Sequence, residues 1–323
     1  MVGNSPPFLD VLMQIKKIAG YDVPVLIEGE TGTGKEVAAR AIHYLSERRD
    51  YPFIPVNCGA IPDSLIEAEL FGHEKGAFTD AKTGRKGLLS QAEGGTLFLD
   101  EVEVFSPKGQ IVLLRFLQDQ QYRPLGSSQT RQSNVRIIAA SNATLVDMVD
   151  KGTFRQDLLF RLNIMSIKMP CLSHRKSDIQ MLAEHFLERY RLQYGLPEKF
   201  LTPDTIQWMK SYHWPGNVRE LENMVHRELL LSNGPFIKMG NGASNQKDRR
   251  VNMFDRRQNF LFARTFHDEK SKILDQFEKR YLNWLMKESN GNVTQAAKRA
   301  GKERRSLGKL LKKHGISKDS LTN

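Results

Sequence analysis

The chain has 323 residues, 40% of them hydrophobic, and a formal net charge of +11, and this length predicts two or three domains with a packed core. Its two cysteines, Cys58 and Cys171, stand far apart and outside any CxxC spacing, which excludes a disulfide scaffold or a zinc knuckle and suits a reducing compartment. The N-terminus lacks the basic start and apolar run of a signal peptide, and no stretch approaches the roughly 18 apolar residues of a membrane helix, so we expect a soluble cytoplasmic protein with no membrane partner.

The first half of the chain alternates short apolar runs with amphipathic segments. The apolar runs are rich in Val, Ile, Leu and Phe and predict buried strands at 24–29, 52–58, 95–101 and 135–141. The amphipathic segments predict helices at 35–48, 62–71, 107–120 and 145–161. This alternation predicts an α/β fold with a parallel sheet covered on both faces. From about residue 175 to 233 the pattern is helical only, which predicts a small helical subdomain.

The stretch GETGTGKE at 29–36 follows a predicted strand and precedes a predicted helix, which is the context of a phosphate-binding P-loop. Its glycines let successive backbone N–H groups turn toward phosphate oxygens, and the helix adds its positive N-terminus. Lys35 can reach the outer phosphates. The alternative is a generic glycine turn. The predicted nucleotide-binding residues here are Gly29, Glu30, Thr31, Gly32, Thr33, Gly34, Lys35 and Glu36, with Glu36 where Ser or Thr usually ligates Mg²⁺.

Two carboxylates end the predicted strand GGTLFLDE at the edge where ligands bind in open α/β sheets. Asp100 suits a contact to Mg²⁺ through water, and Glu101 suits polarisation of an attacking water. Taken alone, the pair could equally cap a helix. Asn142 follows the strand VRIIAAS and can sense the γ-phosphate of a nucleotide from its position beside the P-loop.

Three arginines are candidates for phosphate contacts. Arg155 and Arg161 lie in GTFRQDLLFRLN, and an arginine delivered to a neighbouring subunit's γ-phosphate stabilises transition-state charge. Such delivery fits a ring with head-to-tail interfaces, whereas the alternative is a surface ion pair with Asp157. Arg219 lies in the first turn of a predicted helix after HWPGN, where a cation is unfavourable for the helix dipole and a phosphate partner would explain it.

The C-terminal part of the chain is helical in pattern and basic. After residue 240 there are 20 basic and 9 acidic residues, so the whole net charge lies there. Residues 291–316 predict a helix-turn-helix, with Asn292 or Thr294 capping the first helix, Gly301 in the turn, and a second helix from Arg304 to Lys313. A solvated, disordered basic tail is the alternative on charge alone. The predicted DNA contacts are Lys302, Arg304, Arg305, Lys309, Lys312 and Lys313.

Six motifs occur together in one order: GETGTGKE, ELFGHEKGAFTDA, GGTLFLDE, RIIAASN, GTFRQDLLFRLN and WPGNVREL. With them, the chain resembles the bacterial enhancer-binding proteins, AAA+ ATPases that activate sigma-54 RNA polymerase, from residue 3 to about 233. The last 50 residues resemble their Fis-type DNA-binding domain. The resemblance implies an α/β AAA+ P-loop parallel sheet with a helical lid subdomain, plus an all-α helix-turn-helix domain. We place the ATPase subdomain at 1–170, the lid at 171–233, a linker at 234–267 and the DNA-binding domain at 268–323.

The resemblance also implies roles for single residues. It implies ATP and Mg²⁺ as ligands, Glu36 as a usual residue after the P-loop lysine, and Asn57 as a switch that holds Glu101 until ATP is sensed. Arg155 and Arg161 match the family's trans-acting arginines, and Arg219 matches its second sensor. Members form rings, usually hexamers, with ATP between subunits, and dimeric tails bind double-stranded DNA at enhancer sites.

The stretch GAFTDA resembles the family's GAFTGA loop, which contacts sigma-54. Phe78 and Thr79 match the contact residues, and an exposed apolar group usually marks a partner surface. Asp80 stands where the family has Gly and adds a negative charge. The predicted contact residues are Gly76, Ala77, Phe78, Thr79, Asp80 and Ala81.

Three functions are open from the sequence. The first is an ATP-hydrolysing activator that remodels sigma-54 RNA polymerase at promoters. The second is an AAA+ DNA-binding regulator that does not engage sigma-54 because of Asp80. The third is a P-loop ATPase acting on another macromolecule. The GAFTDA loop and the Fis-like tail argue against this third function. Because the family pattern begins at residue 3, we expect control by a regulator in trans, by expression level, or from parts of a longer chain.

Overall fold

The computed structural model describes residues 1–77, 83–232, 234–239 and 292–314, together with 278, 281–282, 285–286 and 288–289. The chain forms two compact units, Met1–Gly242 and Ala243–Asn323. In these described ranges, no helix is both long enough and apolar enough to cross a membrane.

A five-stranded parallel sheet forms the centre of the first unit, in the order β2-β5-β8-β1-β9. The four predicted strands are confirmed, because each apolar run enters this sheet. The fifth strand was missed, since it is a four-residue edge strand in which only Ile167 is fully buried. The strands of the unit are β1 Val25–Glu28, β2 Phe53–Asn57, β3 Gly72–His73, β4 Arg85–Lys86, β5 Thr96–Asp100, β6 Gln121–Tyr122, β7 Arg131–Gln132, β8 Arg136–Ser141, β9 Met165–Lys168, β10 Phe200–Leu201 and β11 Phe236–Ile237.

Helices cover both faces of this sheet, as the strand–helix alternation predicts. The predicted helix at 145–161 is wrong as a single element, because Gly152 takes a positive φ of 70° and separates two short helices. The helices are α1 Pro6–Ala19, α2 Lys35–Tyr44, α3 Ile66–Phe71, α4 Leu88–Gln91, α5 Pro107–Asp119, α6 Leu145–Asp150, α7 Gln156–Leu162, α8 Asp178–Tyr194, α9 Pro203–Ser211 and α10 Asn217–Leu231.

The side chains of the central strands divide between two cores. Leu97 and Leu99 of β5 pack into the core that α3, α5 and α7 cover. Phe98, between them, points the other way and packs with α1 and α2. This alternation is the two-residue period of a strand, and it explains why β5 has to be apolar on both faces.

The lid subdomain packs around Trp214, which is 1% exposed and donates its indole N–H to the Met209 carbonyl at 2.7 Å. Helices α8, α9 and α10 surround it. The predicted linker begins too early, because Phe236–Ile237 pairs in parallel with β10 and Ile237 is fully buried in the lid core. Residues 240–267 of that predicted linker lie outside the described residues.

The N-terminal residues are attached to the lid through a buried carboxylate. Asp178 is completely buried at the start of α8 and accepts hydrogen bonds from the Asn4 and Ser5 backbone N–H groups, both at 2.8 Å. It also pairs with the buried Arg175 at 2.9 Å, and that guanidinium stacks 3.7 Å from the centre of the Phe8 ring. Burial opposes the ionised form of Asp178, but these hydrogen bonds hold its pKa below the usual range.

In the second unit, the described residues include the helices α11 Val293–Arg299 and α12 Arg304–Lys313. Asn292 caps α11 by accepting from the Thr294 and Gln295 N–H groups, which decides between the two predicted caps. Gly301 makes the turn with a positive φ of 60°. Leu307 and Leu311 of α12 pack inward with Leu282 and Leu285. The predicted helix-turn-helix is therefore confirmed, with the second helix at its predicted bounds.

Candidate nucleotide-binding site

The P-loop lies between β1 and α2, and Gly34 caps α2 with a left-handed φ of 98°. Lys35, the first residue of α2, is 7% exposed. Its Nζ donates to the carbonyls of Gly29 at 2.7 Å and Glu30 at 3.2 Å, and to Asn142 Oδ1 at 2.6 Å. Burial lowers the pKa of Lys35, and the carboxylates of Asp100, Glu103 and Glu101 act against that. These contacts hold the Lys35 ammonium at the P-loop, where it can bind a phosphate oxygen.

Other predicted P-loop residues have structural partners of their own. Thr33 is buried and donates to the Glu30 carbonyl at 2.8 Å. The side chain of Glu36 forms an exposed ion pair with Arg40 at 2.7 Å, one turn along α2. This placement explains why a Glu is compatible with the position after Lys35, since its carboxylate lies on the outer face of the helix.

The two predicted catalytic carboxylates lie at the carboxyl end of β5. Burial raises the pKa of Asp100, while Lys35 opposes the shift. Glu101 has a left-handed φ of 60°, and its N–H donates to Asp100 Oδ1 at 3.0 Å. A non-glycine residue in this region is uncommon and strained, and such residues cluster at functional sites. The turn directs Glu101 out of the sheet beside Asp100.

Asn57 ends β2, where it pairs in register with Asp100. Its Oδ1 accepts from the Gly59 N–H at 2.8 Å. A Cβ built on Gly59 would lie 3.2 Å from Asn57 Oδ1 and 3.3 Å from Glu101 Oε2, so the two side chains converge on this glycine. The described part of the chain contains no hydrogen bond between Asn57 and Glu101 themselves, and the switch role stays a prediction.

Asn142 follows β8 and lies within reach of Lys35, as predicted. Its other partner, Glu103, was not predicted from the sequence. Glu103 Oε1 accepts from the Asn142 backbone N–H at 3.0 Å and from Nδ2 at 2.9 Å. Glu103 lies in the short helical turn after Asp100 and Glu101. Its spacing of two residues from Glu101 was the available signal, because that turn returns it to the same edge of the sheet.

The lid contacts the P-loop through the first turn of α10. The Val218 and Arg219 N–H groups donate to the Gly32 carbonyl at 3.0 and 3.3 Å. Asn217, in a left-handed conformation, donates from Nδ2 to Glu30 Oε2 at 3.0 Å. These bonds place Arg219 beside the phosphate loop, as predicted, and were not visible in sequence because they join residues more than 180 positions apart.

Arg155 and Arg161 are both exposed and belong to the start and end of α7. Arg155 forms an ion pair with Asp157 at 2.7 Å, which is the alternative that the sequence left open. Among the described residues, no hydrogen bond or ion pair joins either side chain to the nucleotide-site residues above.

A two-stranded antiparallel ribbon, β3 with β4, flanks the GAFTDA segment in the sequence. Gly76 has a positive φ of 84°, and the Ala77 N–H donates to the Glu74 carbonyl at 3.2 Å. A second ribbon pairs β6 with β7. In the chain between them, the Leu125 N–H donates to the Gly72 carbonyl and the Leu125 carbonyl accepts from the Glu74 N–H, both at 2.9 Å. The predicted contacts Phe78, Thr79, Asp80 and Ala81 lie outside the described residues.

The predicted DNA contacts share the exposed side of the helix-turn-helix. The inward face of α12 is apolar, with Leu307 and Leu311 buried. Lys313 also forms an ion pair with Glu278 at 3.2 Å. All six of these predicted contact residues are exposed: Lys302, Arg304, Arg305, Lys309, Lys312 and Lys313.

Known proteins show the same three parts in the same order. The sigma-54 interaction domain matches residues 1–168, the AAA+ ATPase lid domain matches 173–251, and the bacterial regulatory protein family Fis matches 273–314. The nitrogen fixation protein AnfA of Azotobacter vinelandii is 41% identical over 322 residues, covering 100% of this chain and 58% of that protein. The transcriptional regulatory protein GlrR of Escherichia coli K12 is 41% identical over 316 residues, covering 98% of this chain and 68% of that protein.

Solved structures agree with this assignment. NtrX from Brucella abortus in complex with ATP matches 98% of this chain and 69% of its own, with 32% identity and a TM-score of 0.70. This chain thus spans between 58% and 69% of the relatives named here. The matched domains, their order and these identities show that the chain belongs to the AAA+ sigma-54-dependent transcriptional activators with a C-terminal Fis-type helix-turn-helix.

Proposed function

We propose that this protein hydrolyses ATP and uses the energy to remodel sigma-54 RNA polymerase at promoters to which its C-terminal domain binds. The observation that supports it best is the meeting of Lys35, Asp100 and Asn142 at one edge of the sheet, with Lys35 Nζ 2.6 Å from Asn142 Oδ1. Gly29, Glu30, Thr31, Gly32, Thr33, Gly34, Lys35 and Glu36 would surround the phosphates, with Arg219 reaching them from the lid.

In this proposal the carboxylates divide the chemistry. Asp100 would contact Mg²⁺ through water, which suits a partly buried carboxylate beside Lys35, and Glu101 would polarise the attacking water. Asn57 would relay the state of Glu101 to the loop stem. Oxygen ligands and retained waters are what Mg²⁺ prefers, so the residues present fit the ion.

The proposed partners follow from two features, the β3–β4 stem and the cationic side of α12. Gly76 and Ala77 stand at the top of the β3–β4 stem, and the segment they open, with Phe78, Thr79, Asp80 and Ala81, would contact sigma-54. The cationic side of α12 would bind DNA phosphates and bases, with salt-dependent affinity. We further propose a homo-oligomeric ring, hexameric as in the family, whose tails pair on double-stranded enhancer DNA. A regulator acting in trans remains part of this proposal.

The test of the chemistry is Glu101→Ala. The variant should bind ATP with unchanged affinity but lose turnover, because only the water-activating group is removed. Phosphate release and equilibrium nucleotide binding measure the two separately. Turnover at the wild-type rate would contradict the role of Glu101.

The alternative function is a DNA-binding AAA+ regulator that does not engage sigma-54, and Asp80 favours it because it adds a carboxylate to the contact loop. Co-sedimentation of the full chain with sigma-54 in ADP–aluminium fluoride distinguishes the two. A complex formed by wild type supports the first proposal. A complex formed only by Asp80→Gly, or by neither protein, supports the alternative.

A further inference from the structure

The γ-phosphate sensor Asn142 is held by a carboxylate that has no assigned role. Glu103 Oε1 accepts from both the backbone N–H and the side-chain Nδ2 of Asn142, at 3.0 and 2.9 Å. Glu103 Oε2 is buried and has no hydrogen-bond partner among the described residues. The ionised Glu103 carboxylate binds Asn142 Nδ2 strongly, because hydrogen bonds to charged acceptors are stronger than those between neutral groups.

This contact fixes which atom Asn142 presents to the phosphate site. With Nδ2 bound to Glu103, the amide directs Oδ1 to Lys35 Nζ at 2.6 Å and to Thr31 Oγ1 at 3.1 Å. A phosphate oxygen only accepts hydrogen bonds, so Asn142 can bind the γ-phosphate only through Nδ2. Turning the amide over would place Oδ1 against the Glu103 carboxylate, and two acceptors repel.

We propose that Glu103 is a positioning residue that holds Asn142 in the orientation unable to bind γ-phosphate, and thereby lowers the preference of the site for ATP over ADP. The inference rests on the proposed ATPase function and adds a regulatory element to the same site. ATP has to displace Nδ2 from Glu103, whereas ADP, which lacks the γ-phosphate, leaves the contact intact.

The electrostatics of the site act in the same direction. Glu103 is one of three carboxylates whose charge acts on Lys35, together with Asp100 and Glu101. A third negative charge at this edge opposes the extra charge that ATP carries beyond ADP. The orientation effect requires Asn142, whereas the charge effect does not, so the two can be separated by mutation.

The direct test is Glu103→Gln, measured as the ratio of affinities for a non-hydrolysable ATP analogue and for ADP on the full chain. Gln keeps the shape, but its Nε2 can donate to Asn142 Oδ1, so both orientations of Asn142 become available. We expect the ratio to rise by about tenfold, equivalent to about 1.4 kcal/mol. ADP affinity is the internal control, because ADP lacks the γ-phosphate and its affinity should change much less than that of the ATP analogue. An unchanged ratio overturns the proposal.

The second arm is the double-mutant cycle with Asn142→Ala. In the Asn142→Ala background, Glu103→Gln should change the ratio by less than about twofold, because the group that Glu103 positions is absent. The same rise in both backgrounds would mean a simple charge effect and would overturn the positioning role. If Glu103→Gln loses ADP binding through misfolding, Glu103→Ala replaces it, with the same expected rise and the same overturning result.

The proposed function fails separately from this inference. A wild-type chain that binds neither nucleotide contradicts the ATPase itself, and the role of Glu103 with it. A wild-type chain that binds both, alongside a Glu103→Gln variant with the wild-type ratio, contradicts only the role of Glu103.

Discussion

His43 is a fully buried histidine near the end of α2, remote from the acid–base chemistry of the site. Its Nδ1 lies 3.0 Å from Thr96 Oγ1, while Nε2 is buried with no hydrogen-bond partner in the described residues. Its ring packs against Tyr44 and Phe53. Burial lowers the pKa of His43 below its ordinary value of 6.5, and the charges of nearby arginines act in the same direction. Folding therefore disfavours protonation of this ring.

The pH dependence of stability tests this directly. Because the folded pKa lies below the unfolded one, the unfolded chain binds the proton first, and the free energy of unfolding falls as pH drops below about 6.5. His43→Gln removes this titration, so its urea midpoint should fall less between pH 8 and pH 5.5 than that of wild type. His185→Gln, at an exposed position of α8, should keep the wild-type pH dependence. An identical fall in the His43 variant would show that His43 does not titrate in this range.

At the scale of elements, two glycines of the helix-turn-helix have opposite roles. Gly301 needs its positive φ of 60° to turn the chain between α11 and α12. Gly308 lies inside α12 with ordinary helical geometry, and a Cβ built on it meets no atom within 4 Å. A glycine in a helix interior loses more backbone conformational entropy on folding than other residues do. Gly308 therefore destabilises α12, although the packing of the helix does not require a glycine there.

The same substitution at these positions should therefore change stability in opposite directions. Gly308→Ala should stabilise α12 by about 1 kcal/mol, the helix-propensity difference between Gly and Ala. Gly301→Ala should destabilise the α11–α12 helix-turn-helix by about 1–2 kcal/mol, because an L-residue is strained in the left-handed region. Hydrogen exchange of the amides of residues 304–313 in the full chain measures both. Slower exchange in both variants, or in neither, would contradict this account of the turn.

At the scale of the whole molecule, the sequence predicts what is contiguous and misses what the fold brings together. The P-loop, Asp100 and Asn142 could be predicted because each ends a run of apolar residues, and parallel strands deliver their carboxyl ends to one edge. The bond between Asn217 and Glu30 joins residues 187 positions apart, and no local pattern indicates it. Strand β9 was not predicted for a different reason: an exposed edge strand needs few apolar residues, so its sequence gives no clear strand pattern.

The position of α7 decides whether a single subunit supplies every residue predicted for the nucleotide site. The P-loop lysine, both carboxylates and the predicted sensor Asn142 come from one chain, together with the lid residue Arg219. Arg155 and Arg161 are exposed, and among the described residues the Arg155 side chain pairs with Asp157 alone. A surface ion pair of this kind contributes little to stability, so Arg155 can exchange Asp157 for a stronger anion at small cost. A neighbouring subunit's γ-phosphate is such an anion.

Mixing two inactive variants tests this arrangement. Lys35→Ala should abolish ATP turnover, since it removes the phosphate-binding cation, and Arg155→Ala should reduce turnover greatly without loss of nucleotide binding. In a head-to-tail ring, a Lys35→Ala subunit can supply Arg155 to the intact site of an Arg155→Ala neighbour. An equal mixture should therefore recover about a quarter of wild-type turnover, since that is the share of interfaces with both parts intact.

The control is Arg189→Ala, which removes an exposed ion pair of the lid with Glu222. It should be fully active alone, so it has no lost turnover for a mixture to restore. No recovery in the mixture, with both variants present in the same oligomers by native mass spectrometry, would mean that Arg155 acts within its own subunit or not at all.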